Sequence, residues 1–540
     1  MFLEVIGAIV AILFINVAWT YITALNRAAS LRKLNPELLI RTIYFHVASP
    51  IRILDVSSEL PISIYYQRTV QLTPIRTISQ LIPKWVPSRI GSMNIFMYNF
   101  RSSSPENKGS NVLAIVDNKG INVLVADPLI AHDIMVNRYK ELGKPTENKS
   151  LNLFGPSVVS TEGEVWRRHR RVTAPSFSEK NNALVHEAAV RVAREMFCAW
   201  EEHSTDTEEF TVQASQDVMQ FALSVISSAG FGKDLPWGDD DDSLLTGNHT
   251  MSFKTAMQTV VSSLTLYLAL PSIVFSLPLK PLLKARVARK EFSDYLDEMI
   301  DEAKHESNSE SHNLLQALVK ASLSTEKDGL SHEELRGNAF IFIFAGHETT
   351  ASALAYSLAL LAIHPEIQEN LHNESVRVLG GRNEPDYSDF QKLTYALAVM
   401  SEALRLYSIV SGLPKCNGEK STTIGNYVFP PNTTFHILQQ SIQNSSEVWG
   451  EDVDKFRPER FLELGQPAST KTGWLPFSEG PRACVGKKFA QVESVALLTL
   501  ISLKYKFKLP DGVSKETVCE TNGLFMNKPD QPVRLMFMRR

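Results

Sequence analysis

Cysteine is scarce in this chain: Cys198, Cys416, Cys484 and Cys519 are the four among 540 residues, far apart and never closely paired. A disulfide framework or a structural zinc site would use more cysteines, or paired ones with histidines nearby, so both are excluded. Scattered thiols fit a reducing compartment, where a single one still serves as a ligand. A basic excess is missing too. Lysine and arginine total 55 against 59 acidic residues, a formal net charge of −4. Nucleic-acid binding calls for the opposite balance, and no nucleic acid is expected as a partner. No internal repeat is present. With 44% hydrophobic and 21% charged residues, disorder as the main state is excluded. Several hundred residues of this composition bury a large core, and with it a large apolar cofactor.

Charge itself is absent from Val5 to Leu25, where Val, Ile, Leu, Phe and Ala dominate. As a helix this stretch rises roughly 30 Å, enough to cross a bilayer core. Trp19 and Tyr21 sit toward its carboxyl end, where amphipathic rings prefer the interface; Glu4 precedes it, and Arg27, Arg32, Lys33 and Arg41 follow. The positive-inside rule places the amino terminus in a lumen and the body in the cytosol. A cleaved signal peptide would have a basic start and a shorter apolar core, and neither is found. Residues 1–26 are therefore expected to form one transmembrane anchor. With the body in the cytosol, the sequons at Asn148, Asn248, Asn373, Asn432 and Asn444 are chance matches. Residues 27–90 mix apolar runs with Pro50, Pro61, Pro74, Pro83 and Pro87, and read as a linker and membrane-proximal segment of irregular structure and short helices.

Clearer order begins beyond residue 110. Val112–Val116 and Ile121–Val125 are β-branched runs separated by Asp117-Asn118-Lys119-Gly120, a hairpin signal. From Asp127-Pro128 to about residue 410 apolar residues recur at three- and four-residue steps, a helical pattern. Strand-like pieces return near Thr422–Val428 and Val533–Met538. The predicted class is mainly α, with minor sheet content near each end. Asp239–Asp242 reads as a solvated loop.

The strongest local signal is Phe477-Ser478-Glu479-Gly480-Pro481-Arg482-Ala483-Cys484-Val485-Gly486. Two glycines and a proline close around one cysteine, just before a helical run starting at Lys487. A thiolate there gains from backbone N–H groups and from the helix dipole, which lower its pKa and moderate its electron donation to a metal. A buried cysteine taken alone is usually a small core residue. The surrounding decapeptide reverses those odds.

This segment resembles the haem-binding loop of the cytochrome P-450 superfamily, Phe-x-x-Gly-x-Arg-x-Cys-x-Gly, with all five specified positions filled. The resemblance implies that Cys484 is the axial thiolate of haem iron, that Arg482 pairs with a propionate, and that Phe477 packs beside the sulfur. Three further segments follow the same family. Glu402-Ala403-Leu404-Arg405 and Phe456-Arg457-Pro458-Glu459-Arg460-Phe461 imply a structural network of Glu402, Arg405 and Arg460, one carboxylate shared by two guanidinium forks. Trp166-Arg167-Arg168-His169-Arg170 is similar to the family's Trp-x-x-x-Arg segment. Trp166 and Arg170 lie one helical turn apart and would reach one propionate; without the other motifs a basic surface helix would be the simpler reading. Many relatives carry arginine where this chain has Lys415, which keeps the charge but loses the fork.

Ser331-His332-Glu333-Glu334 is a capping box opening a helix that runs toward Ile363. Ala339 to Ala345 is apolar on every side and calls for deep burial. Gly346-His347-Glu348-Thr349-Thr350 follows, and an acid and a hydroxyl in so apolar a helix cost several kcal/mol unless partnered. A kink satisfied by backbone bonding is the bland account. The segment resembles the family's acid–threonine pair, which implies that Thr349 orders water and dioxygen while Glu348 relays protons.

The resemblance covers roughly residue 90 to the carboxyl terminus, a catalytic domain of residues 91–540. His364-Pro365-Glu366 and Asp389-Phe390 most resemble fungal microsomal members. It implies a helical prism with a small β-rich lobe on the amino-terminal side. It further implies an endoplasmic reticulum membrane protein, single-pass, with its catalytic domain facing the cytosol. The implied reaction is hydroxylation or epoxidation of a lipophilic small molecule by O2, in fungal secondary-metabolite biosynthesis. Electrons would come from NADPH through a flavoprotein reductase, with cytochrome b5 as a further candidate donor. Lys487, Lys488 and Arg482 suit an acidic partner. Phe340, Ile343, Phe344, Val410, Leu413, Leu524 and Phe525 are the candidate substrate contacts. Leu264–Leu283 is a candidate second membrane contact. Two rival classes are a haem-thiolate isomerase or dehydratase, which needs no reductase and typically lacks an intact acid–threonine pair, and a non-catalytic membrane haem binder, which needs no Glu348–Thr349. Both residues are present, which favours the monooxygenase.

Overall fold

A computed structural model describes residues 19, 22–36, 39–42, 111–116, 120–145, 151–202, 209–238, 249–270, 272–306, 313–324, 328–410, 412–464, 472–514, 518–519, 521–522 and 526–540. The expected anchor at 1–26 and linker at 27–90 lie largely outside these residues, as do Asp239–Asp242, Leu524 and Phe525. Residues 22–34 are helical. Among the described residues no helix is long and apolar enough to cross a membrane. The chain divides into two units, residues 1–146, 411–450 and 478–482 in the smaller, the remainder in the larger.

The smaller unit holds a five-stranded sheet. Its strands are β1 (Leu39–Thr42), β2 (Val112–Val116), β3 (Ile121–Val125), β4 (Leu413–Cys416) and β5 (Thr433–Ile437), in the order β1-β2-β3-β5-β4. The expected hairpin is β2–β3, antiparallel, with Val112 opposite Val125 and Val116 opposite Ile121. Strands lie near both ends, as expected, but β3 also takes β5, about three hundred residues away, as its parallel neighbour. Alternation within a run marks a strand, but nothing in it names a partner so distant. The expected strand-like piece at Thr422–Val428 is instead two short antiparallel strands, Thr422–Ile424 and Tyr427–Phe429, turning at Gly425 with φ +57°.

The larger unit is helical. Its principal helices are α1 (Gly163–Thr173), α2 (Glu179–Glu202), α3 (Ala214–Val225), α4 (Phe253–Ser262), α5 (Lys280–His305), α6 (Leu314–Leu323), α7 (His332–Ile363), α8 (Pro365–Leu379), α9 (Thr394–Leu406), α10 (Glu459–Glu463) and α11 (Lys487–Lys504). The expected capping box opens α7: Ser331 accepts from the Glu334 N–H, and the Glu334 carboxylate accepts from the Ser331 N–H. The apolar stretch Ala339–Phe344 is buried on every side, as its composition requires. Gly337 sets how closely the loop before α1 crosses this helix, since a Cβ there would sit 2.3 Å from the Pro156 carbonyl oxygen. Helix α9 starts on a borrowed cap: Glu374 of α8 accepts from the backbone N–H groups of Tyr395 and Ala396 at 2.8 and 3.0 Å. Strand Leu535–Arg539, near the expected Val533–Met538, pairs with Tyr505–Lys508 and Glu209–Val212.

Candidate active site

The cysteine loop closes on itself, the Cys484 N–H donating to the Phe477 carbonyl at 2.8 Å. Gly486 caps α11, so the thiol stands just ahead of that helix's positive end. Burial pushes the Cys484 thiol pKa up, opposed by a backbone bond from Gly486 and by the charges of Arg170 and Lys487. The side chain nevertheless keeps solvent-accessible surface. Cys484 is thus crowded by protein atoms and yet keeps exposed surface. Gly480, in the smaller unit, has φ +69°, and a Cβ there would stand 2.6 Å from the Met135 carbonyl oxygen. Only glycine fits that turn. Arg482 ends the short Gly480–Arg482 turn and is half-buried, while Lys415 is buried on β4.

Helix α1 turns Trp166 and His169 inward, so it is no simple basic surface helix. Three of its four arginines have carboxylate partners: Arg167 with Glu164, Arg168 with Glu334 at 2.5 Å, Arg171 with Asp328 at 2.9 Å. Arg170 has none among the described residues. Its guanidinium donates to the Ala483 carbonyl at 2.8 Å, beside Cys484. A cation half-sunk next to an accessible thiol, with no anion of its own, matches the chemistry of a haem propionate above a thiolate. The donor set therefore fits haem.

Glu402, Arg405 and Arg460 do come together. Arg405 donates to both Glu402 oxygens at 2.7 and 2.8 Å, and Arg460 adds a third bond at 3.1 Å. Two partners escaped the sequence reading: the Arg457 N–H, which donates to Glu402 at 3.1 Å, and Asp452, which takes the other side of Arg460 at 3.0 Å. A second buried cluster escaped it as well. His169 sits between Glu334 (3.2 Å) and Asn338 (2.9 Å), and Asn338 accepts from the Val158 N–H at 2.9 Å, tying α1 to α7. An asparagine entering a wholly apolar helical stretch was the available signal.

On α7, Phe340, Ile343 and Phe344 are buried, the two rings stacked at 5.8 Å. One turn on, Glu348 is half-buried, and burial raises its carboxyl pKa with only a partial offset from Lys528. The Thr349 hydroxyl donates to the Ala345 carbonyl at 2.7 Å, which leaves its oxygen able to accept. Val410 bridges to Met526 in the larger unit, whereas Leu413 belongs to β4 of the smaller. The expected docking lysines are not free surface groups. Lys487 lies over the rings of Trp474 and Phe477 at 5.3 and 5.9 Å, and Lys488 lies 3.8 Å from the Phe390 centroid.

The family model described as Cytochrome P450 matches residues 105–535. Cytochrome P450 monooxygenase 124 of Postia placenta is 34% identical over 403 residues, 72% of this chain and 76% of that protein. Cytochrome P450 monooxygenase prx9 of Penicillium rubens is 28% identical over 458 residues, 76% of this chain and 77% of its own. Echinocystic acid 23-monooxygenase of Saponaria officinalis is 27% identical over 431 residues, covering 77% and 80% of the two chains.

Proposed function

Since this chain belongs to the cytochrome P450 family, oxygen-incorporating oxidoreductases with a haem-iron cofactor, a redox partner and O2, we propose that Cys484 is its axial haem ligand. The enzyme hydroxylates or epoxidises a lipophilic small molecule in fungal secondary-metabolite biosynthesis. The single observation that carries this reading is the accessible, crowded Cys484 thiol at the head of α11, with Arg170 beside it.

Haem, when bound to a thiolate, supplies reductive cleavage of dioxygen, using two electrons and two protons. The residues of this chain do the rest. Gly486, Arg170 and Lys487 favour a negative Cys484 sulfur and offset part of the cost of burial. Trp166 and Arg170 would hold a propionate, and Phe477 would shield the sulfur. Glu402, Arg405 and Arg460 brace the cysteine loop. Glu348 carries protons inward, its raised pKa keeping the carboxyl protonated over a wider pH range. Thr349 orders the water that passes them on. Phe340, Ile343, Phe344 and Val410 are the proposed apolar substrate contacts of the larger unit.

Electrons come from NADPH through a membrane-bound flavoprotein reductase, with cytochrome b5 as auxiliary donor. Residues 1–26 anchor the protein in the endoplasmic reticulum membrane, residues 27–90 link, and residues 91–540 face the cytosol. Ile273, Leu277 and Leu279 are exposed, which supports a second membrane contact across Leu264–Leu283. Expression with a reductase under isotopically labelled dioxygen tests the activity. One labelled oxygen in a lipophilic product, formed at the expense of NADPH, is the expected result. A product formed without NADPH would replace this reading with an isomerase.

A further inference from the structure

In the larger unit the strap His249–Ser252, which leads into α4, is bound by its side chains and backbone to the middle of α5. His249 Nδ1 lies 2.8 Å from Glu291, and its Nε2 lies 3.2 Å from both oxygens of Glu298. Thr250 donates to the second Glu291 oxygen at 2.8 Å, and Tyr295 donates to the Met251 carbonyl at 2.9 Å. Ser252 then caps α4 through the Thr255 N–H. The imidazole itself is stacked on Tyr295 at 3.6 Å. Rings continue from there. Tyr295 meets Phe253 at 5.7 Å, Phe253 meets Phe292 at 5.6 Å, and Phe292 meets Phe340 at 6.4 Å. Phe340 is stacked on Phe344, one turn before Glu348.

We propose that His249 is a positioning residue for the substrate wall: its imidazolium, bridging Glu291 and Glu298, holds the start of α4 on α5 and so fixes the aromatic column that ends at Phe340 and Phe344. This rests on the reading of those two phenylalanines as substrate contacts. Only the doubly protonated ring donates to both carboxylates. The neutral ring keeps one bond and turns a lone pair toward the other acid. From α5 the charged groups facing His249 are Glu291 and Glu298, while Lys290 and Asp294 pair with each other at 2.9 Å. Lys254, the sole titratable side chain of α4, donates instead to the Gly238 carbonyl at 2.6 Å.

The direction with pH follows from these contacts. Burial disfavours the charged ring, but Glu291 and Glu298 outweigh it and raise the His249 pKa. A raised folded value means that the bridge is complete below the ordinary value of about 6.5 and is lost as pH climbs through the folded one. On the acid side burial opposes ionisation of Glu291, but Thr250 and His249 outweigh it and lower its pKa, so the bridge persists until pH falls below the ordinary carboxylate range. The strap is thus held in mildly acidic and neutral solution and released on the alkaline side.

The test uses the haem-loaded full chain in detergent and needs no substrate. Amide hydrogen-exchange protection over Phe253–Ser262 reads the strap, and carbon monoxide rebinding after photolysis reads access to the haem pocket. In the parent both should loosen in one step above about pH 6.5, by roughly two- to fivefold, the range of a single ion pair that is partly exposed. His249→Gln should show the released values at every pH, with no step. His249→Lys should restore the held values and move the step to higher pH. A parent without the step, or a step that survives in His249→Gln, would overturn the proposal. So would an exchange step that leaves rebinding unchanged. Loss of the red-shifted carbon monoxide band would instead report on Cys484, so the two readings fail separately.

Discussion

Arg170 donates to the carbonyl of Ala483 at 2.8 Å, and through that bond α1 holds the residue next to Cys484. Both of its duties need the planar fork: one N–H for the loop, the others for an anion. Arg170→Lys should therefore retain part of the bound haem and Arg170→Ala less. The haem-to-protein ratio after gel filtration measures this. Equal ratios in all three proteins would remove Arg170 from the site.

Glu402 is fully buried and serves two guanidinium groups at once. Glu402→Ala strips Arg405 of its carboxylate and leaves Arg460 on Asp452, and breaking a buried pair from one side costs about 3–5 kcal/mol. The denaturant midpoint should fall accordingly. Glu402→Gln should fall less, because it keeps an acceptor for one fork. A near-native midpoint for Glu402→Ala would show that the network contributes little.

The acid–threonine pair tests the reaction type. Thr349→Ala should keep haem and reductase-dependent NADPH use while product per NADPH drops, electrons being lost to hydrogen peroxide. Positioned proton delivery is typically worth roughly 100- to 10,000-fold. Unchanged product and peroxide yields would make Thr349 a helix residue only.

Glu348 predicts a pH effect of definite sign. Burial raises its pKa, so it holds its proton to higher pH than an ordinary glutamate and loses it on the alkaline side. Turnover limited by its proton should decline as pH rises through that raised value. Glu348→Gln should turn over slowly and without that decline. A parent profile that stays flat over the same range would free Glu348 of this role.

Much of the site was legible because its signals are local. A glycine–proline–cysteine loop, a capping box and an acid–hydroxyl pair in an apolar helix each declare themselves within ten residues. The Ser331–Glu334 box and the Glu402–Arg405 pair need only helical spacing to form. What stayed hidden depends on contacts distant in sequence. The Arg457 N–H reaches Glu402 from another segment, His169 meets Asn338 across two helices, and β3 pairs with β5 over three hundred residues. The ring contacts of the lysines after Cys484 were hidden for the same reason, since nothing near them in sequence points to Trp474 or Phe390.

Ligation by Cys484 is tested most directly by the carbon monoxide difference spectrum of the reduced protein, parent against Cys484→Ala. No other cysteine stands in a comparable loop, and the described Cys519 is buried, with its thiol pushed up to about 11 chiefly by that burial. The parent should show the strongly red-shifted band of a thiolate-bound haem, and Cys484→Ala should lose it. A red-shifted band that survives in Cys484→Ala would place the ligand on another residue and contradict the account.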